Sequence, residues 1–303
     1  MASDQQIYTL DHGNEQHPQP SPVTEASSPR EKMLALLEAL KDKQVVFMFG
    51  SPKSGKTAVL GSMVQAMQRP DVNGRFFLHG AADSYFKGGL IWWEEVRSAF
   101  KDKKFPRRTL TGGTIQIHAE FQPPDSIKPL NFVFLEMSGE DLETVEISDK
   151  GGYSFKFHID QFLRITTLKM AFIIVTSWQD AKKDDAMISD FLNYINEKAQ
   201  HLKGNRFIVL ITKWDTKPGD PNESALDFIK RNMPATANKI AAAHNVVQPF
   251  SVGTVIHLPV ADGGDIIQEF DYPAGQRLFA RLYETFTGMP VEPKKSWLNR
   301  LFN

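Results

Sequence analysis

The chain of 303 residues has room for one large α/β domain or two small ones, and 41% hydrophobic with 23% charged residues is ordinary for a protein with a full core. A formal net charge of -1 argues against a broad nucleic-acid surface, so no nucleic-acid partner is expected, although a local basic patch stays compatible with it. The lack of cysteine removes disulfides, thiolate metal sites and cysteine nucleophiles together; with no apolar stretch of membrane-spanning length and no signal peptide, a cytoplasmic protein is expected.

Residues 1–29 are rich in Gln, Pro, Ser and His and lack apolar periodicity, which reads as a disordered arm. Ser28-Pro29 then opens a helix from Arg30 to Leu40, with Met33, Leu36, Leu37 and Leu40 on one face. The apolar run Val45–Phe49 predicts a buried strand, and Ala58–Met67 a helix. Between them, Gly50-Ser51-Pro52-Lys53-Ser54-Gly55-Lys56-Thr57 fits the phosphate-binding loop pattern of two glycines five apart followed by Lys and Thr. Such a loop lies where a strand meets a helix N-terminus, so successive backbone N–H groups from Gly50 to Ala58 can surround phosphate oxygens. Lys56 would reach the terminal phosphates and the Thr57 hydroxyl would ligate Mg²⁺. A glycine-rich turn could match by accident; the flanking strand and helix favour the nucleotide.

Arg75–Leu78 is the next strand, and Gly88–Phe100 a helix carrying Ile91, Trp92, Trp93 and Val96. The Trp pair reads as core or as a cover on the sheet edge before it reads as a partner surface. Thr114–Phe121 alternates like a half-buried strand, Asn131–Met137 reads as a continuous buried strand, and Pro123-Pro124 would turn the chain between them as an antiparallel pair. Ser138–Lys150 is acidic and polar, with Gly151-Gly152 as a hinge. Further along, helices are expected at Ile159–Leu168, Asp184–Leu202, Ala225–Ala243 (despite Pro234) and Ala274–Phe286. Strands are expected at Ala171–Val175 and Arg206–Thr212, with another ending at Phe250-Ser251-Val252, and Asp262–Asp271 reads as irregular. Strands alternating with helices of this length predict a three-layer α/β/α domain over residues 30–289, with a mainly parallel sheet and an antiparallel edge strand.

Three further signals fall at strand ends. Thr212-Lys213-Trp214-Asp215 resembles the guanine-specificity motif of GTPases. A carboxylate at Asp215 can accept from the ring N–H and the exocyclic amino group of guanine; adenine offers neither donor and would leave it desolvated without a partner. The aliphatic stem of Lys213 can cover the base. Ser251-Val252-Gly253 resembles the short GTPase motif whose backbone N–H contacts guanine O6. In Glu136-Met137-Ser138-Gly139-Glu140, GTPases place Asp, two residues and Gly, the Asp holding Mg²⁺ through water and the Gly N–H sensing the γ-phosphate. Glu136 stands at the Asp position, a methylene longer, which a contact through water absorbs. Glu140 stands where Ras-like enzymes place the Gln that orients the attacking water. A carboxylate there is repelled by the γ-phosphate unless protonated or turned away, so intrinsic hydrolysis is expected to be slow. An acidic loop after a strand would read the same way.

The order of these motifs resembles the P-loop GTPases of the translation-factor-related and Ras-like class, over about Gln44 to Phe286. In Phe-Leu-Glu-Met-Ser-Gly-Glu, the long spacings and Phe-Ser-Val-Gly it is also similar to bacterial double-GTPase proteins of conflict or signalling systems. The resemblance implies a P-loop NTPase fold, GTP/GDP and Mg²⁺ as cofactors, and a first switch that offers a Thr to the metal. Phe105–Gly113 is the candidate switch, through Thr109 or Thr111. Arg108, three residues before Thr111, resembles the arginine that heterotrimeric G-protein α subunits supply in cis; Arg107 and Arg108 also read as solvated loop charges. The expected function is a guanine-nucleotide switch with slow Mg²⁺-dependent GTP hydrolysis, read by protein partners within a homo- or hetero-oligomer. The alternative is a structural or adaptor component that binds GTP with little or no hydrolysis; an ATPase is third. The basic amphipathic tail 290–303, with Trp297, Leu298, Leu301 and Phe302, suits a membrane surface, a partner groove or its own domain.

Overall fold

Gln44–Phe49 forms strand β1, buried along its whole length. Its alternate side chains face two ways. Val46 and Met48 join one core cluster, while Phe47 and Phe49 stack on Phe191 from the opposite side. A strand buried on both faces needs an uninterrupted apolar run, which Val-Val-Phe-Met-Phe supplies. The computed structural model describes residues 38, 40–79, 87–107, 114–124, 129–137, 146–147, 153–154, 163–198, 200–202, 207–220, 222–241, 245–258 and 265–290. All of these except Glu38 belong to one unit, Leu40–Asn303. The arm 1–29, most of the helix expected at Arg30–Leu40 and the tail beyond residue 290 lie outside the described residues.

The other strands of the main sheet are β2 (Arg75–His79), β3 (Lys87–Gly88), β4 (Thr114–Gln122), β5 (Leu130–Met137), β8 (Lys169–Ser177), β9 (Phe207–Thr212) and β10 (Val246–Pro249). Short β6 (Glu146–Ile147) and β7 (Tyr153–Ser154) pair separately. The sheet runs in the order β10-β9-β8-β1-β5-β4-β2, with β3 beside β4. From β10 to β5 every pairing is parallel, whereas β4 is antiparallel to both β5 and β2. After β1 the chain builds the β2, β4 and β5 side of the sheet and only then crosses to β8 on the other side of β1, so β1 ends at a topological switch point, the usual ligand crevice of such sheets.

Helix α1 (Lys56–Met67) follows β1 and packs against α6 (Tyr272–Thr287), where Gly275 allows a close crossing: a Cβ there would lie 2.9 Å from Ser62 O. With α2 (Gly89–Lys101), these helices cover the Val46 face; Trp92 and Trp93 are both buried in that core. The Phe47 face receives α3 (Ala181–Lys198) through Phe191. This three-layer α/β/α arrangement, with a glycine-rich loop between β1 and α1, is a P-loop NTPase fold.

The sequence expectations need four corrections. The helix expected over Ala225–Ala243 is two, α4 (Ala225–Asn232) and α5 (Pro234–Ile240), because a proline that cannot donate inside a helix suits the first turn of a new one. Asp185 of α3 caps α5, accepting from Thr236 N at 2.8 Å and Ala235 N at 3.1 Å. The helix expected to reach Leu168 ends by Leu163 among the described residues, and 164–168 turn into β8. Phe250–Val252 lie just beyond β10 rather than at its end. Residues expected to be irregular form β12 (Asp265–Phe270), which pairs antiparallel with β11 (Gly253–His257). β-branched Thr254, Val255, Ile266 and Ile267 sustain this hairpin, although only Gly253 and Ile267 in it are buried.

Candidate functional site

The loop 50–55 turns between β1 and α1 on backbone geometry that few residues tolerate. Gly55, the N-cap of α1, has φ 98°, and Lys53 is held at φ 63°. Gly50 presses on β8: a Cβ there would lie 2.1 Å from Val175 O. Lys56 opens α1 and donates through Nζ to Gly50 O (2.8 Å) and Ser51 O (2.9 Å), which keeps its ammonium inside the ring of the loop. Thr57 donates its hydroxyl to Oε1 of Glu136, a fully buried carboxylate at the end of β5. A hydroxyl beside a carboxylate is a hard oxygen donor set, and it fits Mg²⁺ completed by phosphate oxygens and water.

At the end of β9, Thr212 is tied to the same loop. Thr212 donates to Ser54 O at 2.6 Å and lies 3.2 Å from Thr176 O. Lys213 adopts φ 57°, a left-handed conformation that costs about 1–2 kcal/mol outside glycine, and bonds Gln179 Oε1 at 3.2 Å. The Ser251 hydroxyl lies 3.0 Å from both Asp215 Oδ1 and Gly253 O, which compete for its one proton, and its Oγ accepts from Gly253 N at 3.2 Å. Ser251 therefore links the Asp215 carboxylate to its own turn, where the Gly253 N–H is engaged.

One cavity of about 380 Å³ joins these groups. Pro52, Lys53, Gly55, Lys56, Thr57, Ala58, Glu136, Thr212, Lys213, Asp215 and Val252 line it. Gly50, Ser51, Ser54, Ser251 and Gly253 are not among its lining residues. Arg108, Thr109, Thr111, Gly139 and Glu140 lie outside the described residues; Phe105, Pro106 and Arg107, which lead to the first three, line the cavity.

Sequence reasoning missed two parts of the site. Ser51 donates at 2.9 Å, and Thr176 at 2.6 Å, to Oδ2 of Asp184 on α3. Burial raises the pKa of Asp184, and these two hydrogen bonds pull it back. The other part is the β11–β12 hairpin, which brings Val255, His257 and Asp265 to the cavity. Asp262-Gly263-Gly264 between two β-branched runs was the available signal for it.

No protein-family model matches the sequence, and no curated protein matches it. Among solved structures the chain is similar to the Roco2 RocCORdC of Methanosarcina barkeri bound to GDP, with 13% identity and a TM-score of 0.36. The similarity covers 85% of this chain and 54% of that one, so this chain spans about half its length. A likeness that distant says nothing about the ligand of this chain. Among the described residues no helix is long and apolar enough to cross a membrane.

Proposed function

We propose that this protein is a guanine-nucleotide-binding switch that hydrolyses GTP slowly and thereby controls its protein partners. One observation carries the reading: a single cavity has the phosphate loop and Lys56 on its wall together with Lys213 and Asp215. The loop amides and Lys56 suit a polyphosphate. Asp215, held by Ser251, suits a base edge with two N–H donors, which guanine has and adenine lacks. Thr57 and Glu136 would hold Mg²⁺, which neutralises charge on the β- and γ-phosphates when bound. Thr109 or Thr111 and Gly139 are proposed to meet the γ-phosphate, with Arg108 compensating for Glu140.

The test is titration of the full chain with GDP and ADP in the presence of Mg²⁺. GDP should bind at least about tenfold tighter, the least expected where a buried acceptor finds its donors in one ligand alone. Asp215→Asn should shift preference toward xanthosine diphosphate, because the amide donates to the O2 that xanthine carries in place of the guanine amino group. An unchanged GDP preference in that variant would exclude Asp215 as the base reader.

The direct Thr57–Glu136 hydrogen bond favours a second reading, in which GTP is held with little or no turnover. The longer Glu reaches the hydroxyl itself, whose lone pairs still face a metal, so the pair can hold Mg²⁺ and GTP while supplying no group that activates water. Phosphate released per bound nucleotide separates the two readings.

A further inference from the structure

A nucleotide lying in this cavity has its phosphates assigned to the loop and its base to Lys213 and Asp215. The sugar remains, and so do the stretch Phe105–Arg107 and the stretch where β11–β12 faces the cavity through His257 and Asp265; of these two, the hairpin brings the carboxylate that can accept from sugar hydroxyls. These two close the hairpin register as directly opposed residues, with His257 Nδ1–H donating to Asp265 Oδ1 at 2.7 Å. The bond orients the carboxylate and leaves Oδ2 as an acceptor. A carboxylate repels phosphate, whereas a vicinal diol offers it two O–H donors.

The hairpin is held in place from both sides. Ile267 N donates to Lys103 O at 2.7 Å, and Lys103 Nζ to Gln268 O at 3.1 Å. At its base Asp271 N donates to Val252 O at 2.9 Å. Gly253 packs so closely on the other strand that a Cβ would lie 1.9 Å from Glu269 O. Asp265 is therefore carried on a fixed wall that starts at the base-reading turn.

We infer that Asp265, oriented by His257, binds the ribose 2′,3′-diol and makes the site selective for ribonucleotides over deoxyribonucleotides. The inference rests on the guanine-nucleotide reading above. Affinities of the full chain for GDP, 2′-deoxy-GDP and 3′-deoxy-GDP test it. GDP should bind about tenfold tighter than the weaker of the two deoxy forms, the scale of one hydrogen bond to a charged acceptor. Asp265→Ala should bring all three within about twofold. Because that variant also removes the His257 pair, Asp265→Asn, which keeps a neutral acceptor, is measured beside it and should lower the preference while GDP still binds. Equal affinities in the unaltered protein overturn the inference, as does a ribose preference undiminished in Asp265→Asn. If ADP binds and GDP does not, the guanine reading fails, and the same comparison on ADP and its deoxy forms still judges the diol site. If no nucleotide binds, both fall.

Discussion

A carboxylate is costly to bury, yet Asp184 is 2% exposed beside the phosphate loop. The hydroxyls of Thr176 and Ser51 offset that cost by donating to one of its oxygens. Ser51 belongs to the loop, so Asp184 anchors the loop to α3. Asp184→Ala should cost about 2–3 kcal/mol, since two buried donors lose their acceptor and a small void opens. Urea unfolding would measure this, and GDP affinity should fall with it; a midpoint unchanged within error would show that the tether carries no stability. The stretches singled out in the sequence, Gly50 to Thr57 and Thr212 to Asp215, are each contiguous and both reach the same cavity, so a local pattern was enough to bring them forward. Asp184 was not legible because Ser51 lies 133 positions away and α3 accounts for an Asp near its start without any loop.

At the level of elements, the same contrast separates strands from their neighbours. Buried β1, β5, β8 and β9 were legible because apolar runs of strand length between helices have few other readings. The hairpin was not, since half-exposed strands of five and six residues carry an alternation too weak to support the turn that Asp262-Gly263-Gly264 signals. Cross-strand neighbours were also illegible, and one has a consequence for stability. His118 on β4 lies opposite His79 on β2, and its Nδ1 accepts from Lys43 Nζ at 3.1 Å. Burial first, then the charges of Lys43 and His79, lowers its pKa from the ordinary 6.5 to about 4. The unfolded chain thus takes up a proton near its ordinary value, while the folded one refuses it until well below. Stability should be intact above about pH 6.5 and fall as pH drops toward about 4, by on the order of 1 kcal/mol after solvent screening of a half-buried ring. Urea unfolding across this range should show the slope, and His118→Gln should flatten it. A slope that persists unchanged in the variant would assign it to other groups.

At the scale of the whole molecule, the cavity is assembled from the ends of several strands and the loops that follow them. β1 supplies the loop, β5 supplies Glu136, β9 supplies Lys213 and Asp215, and the turn after β10 opens the hairpin. Side-chain bonds cross between these ends, Thr57 to Glu136, Thr212 to Ser54 and Ser251 to Asp215, beside main-chain ones such as Phe250 N to Ile211 O at 2.9 Å. A nucleotide spanning the cavity would add bonds to every end at once, and binding that is confined to the folded state stabilises it by mass action. With GDP and Mg²⁺ at a hundred times the dissociation constant, the gain is about 2.7 kcal/mol, or roughly 5–10 °C in the unfolding midpoint for a domain of this size. Lys56→Ala should remove the shift. Its ammonium donates to the carbonyls of Gly50 and Ser51 from inside the loop, and the same position would meet the terminal phosphates. The variant should therefore start from a somewhat lower midpoint, since two carbonyls lose their donor, and gain nothing when GDP is added. A Lys56→Ala protein whose midpoint still rises with GDP would place the nucleotide somewhere other than this loop.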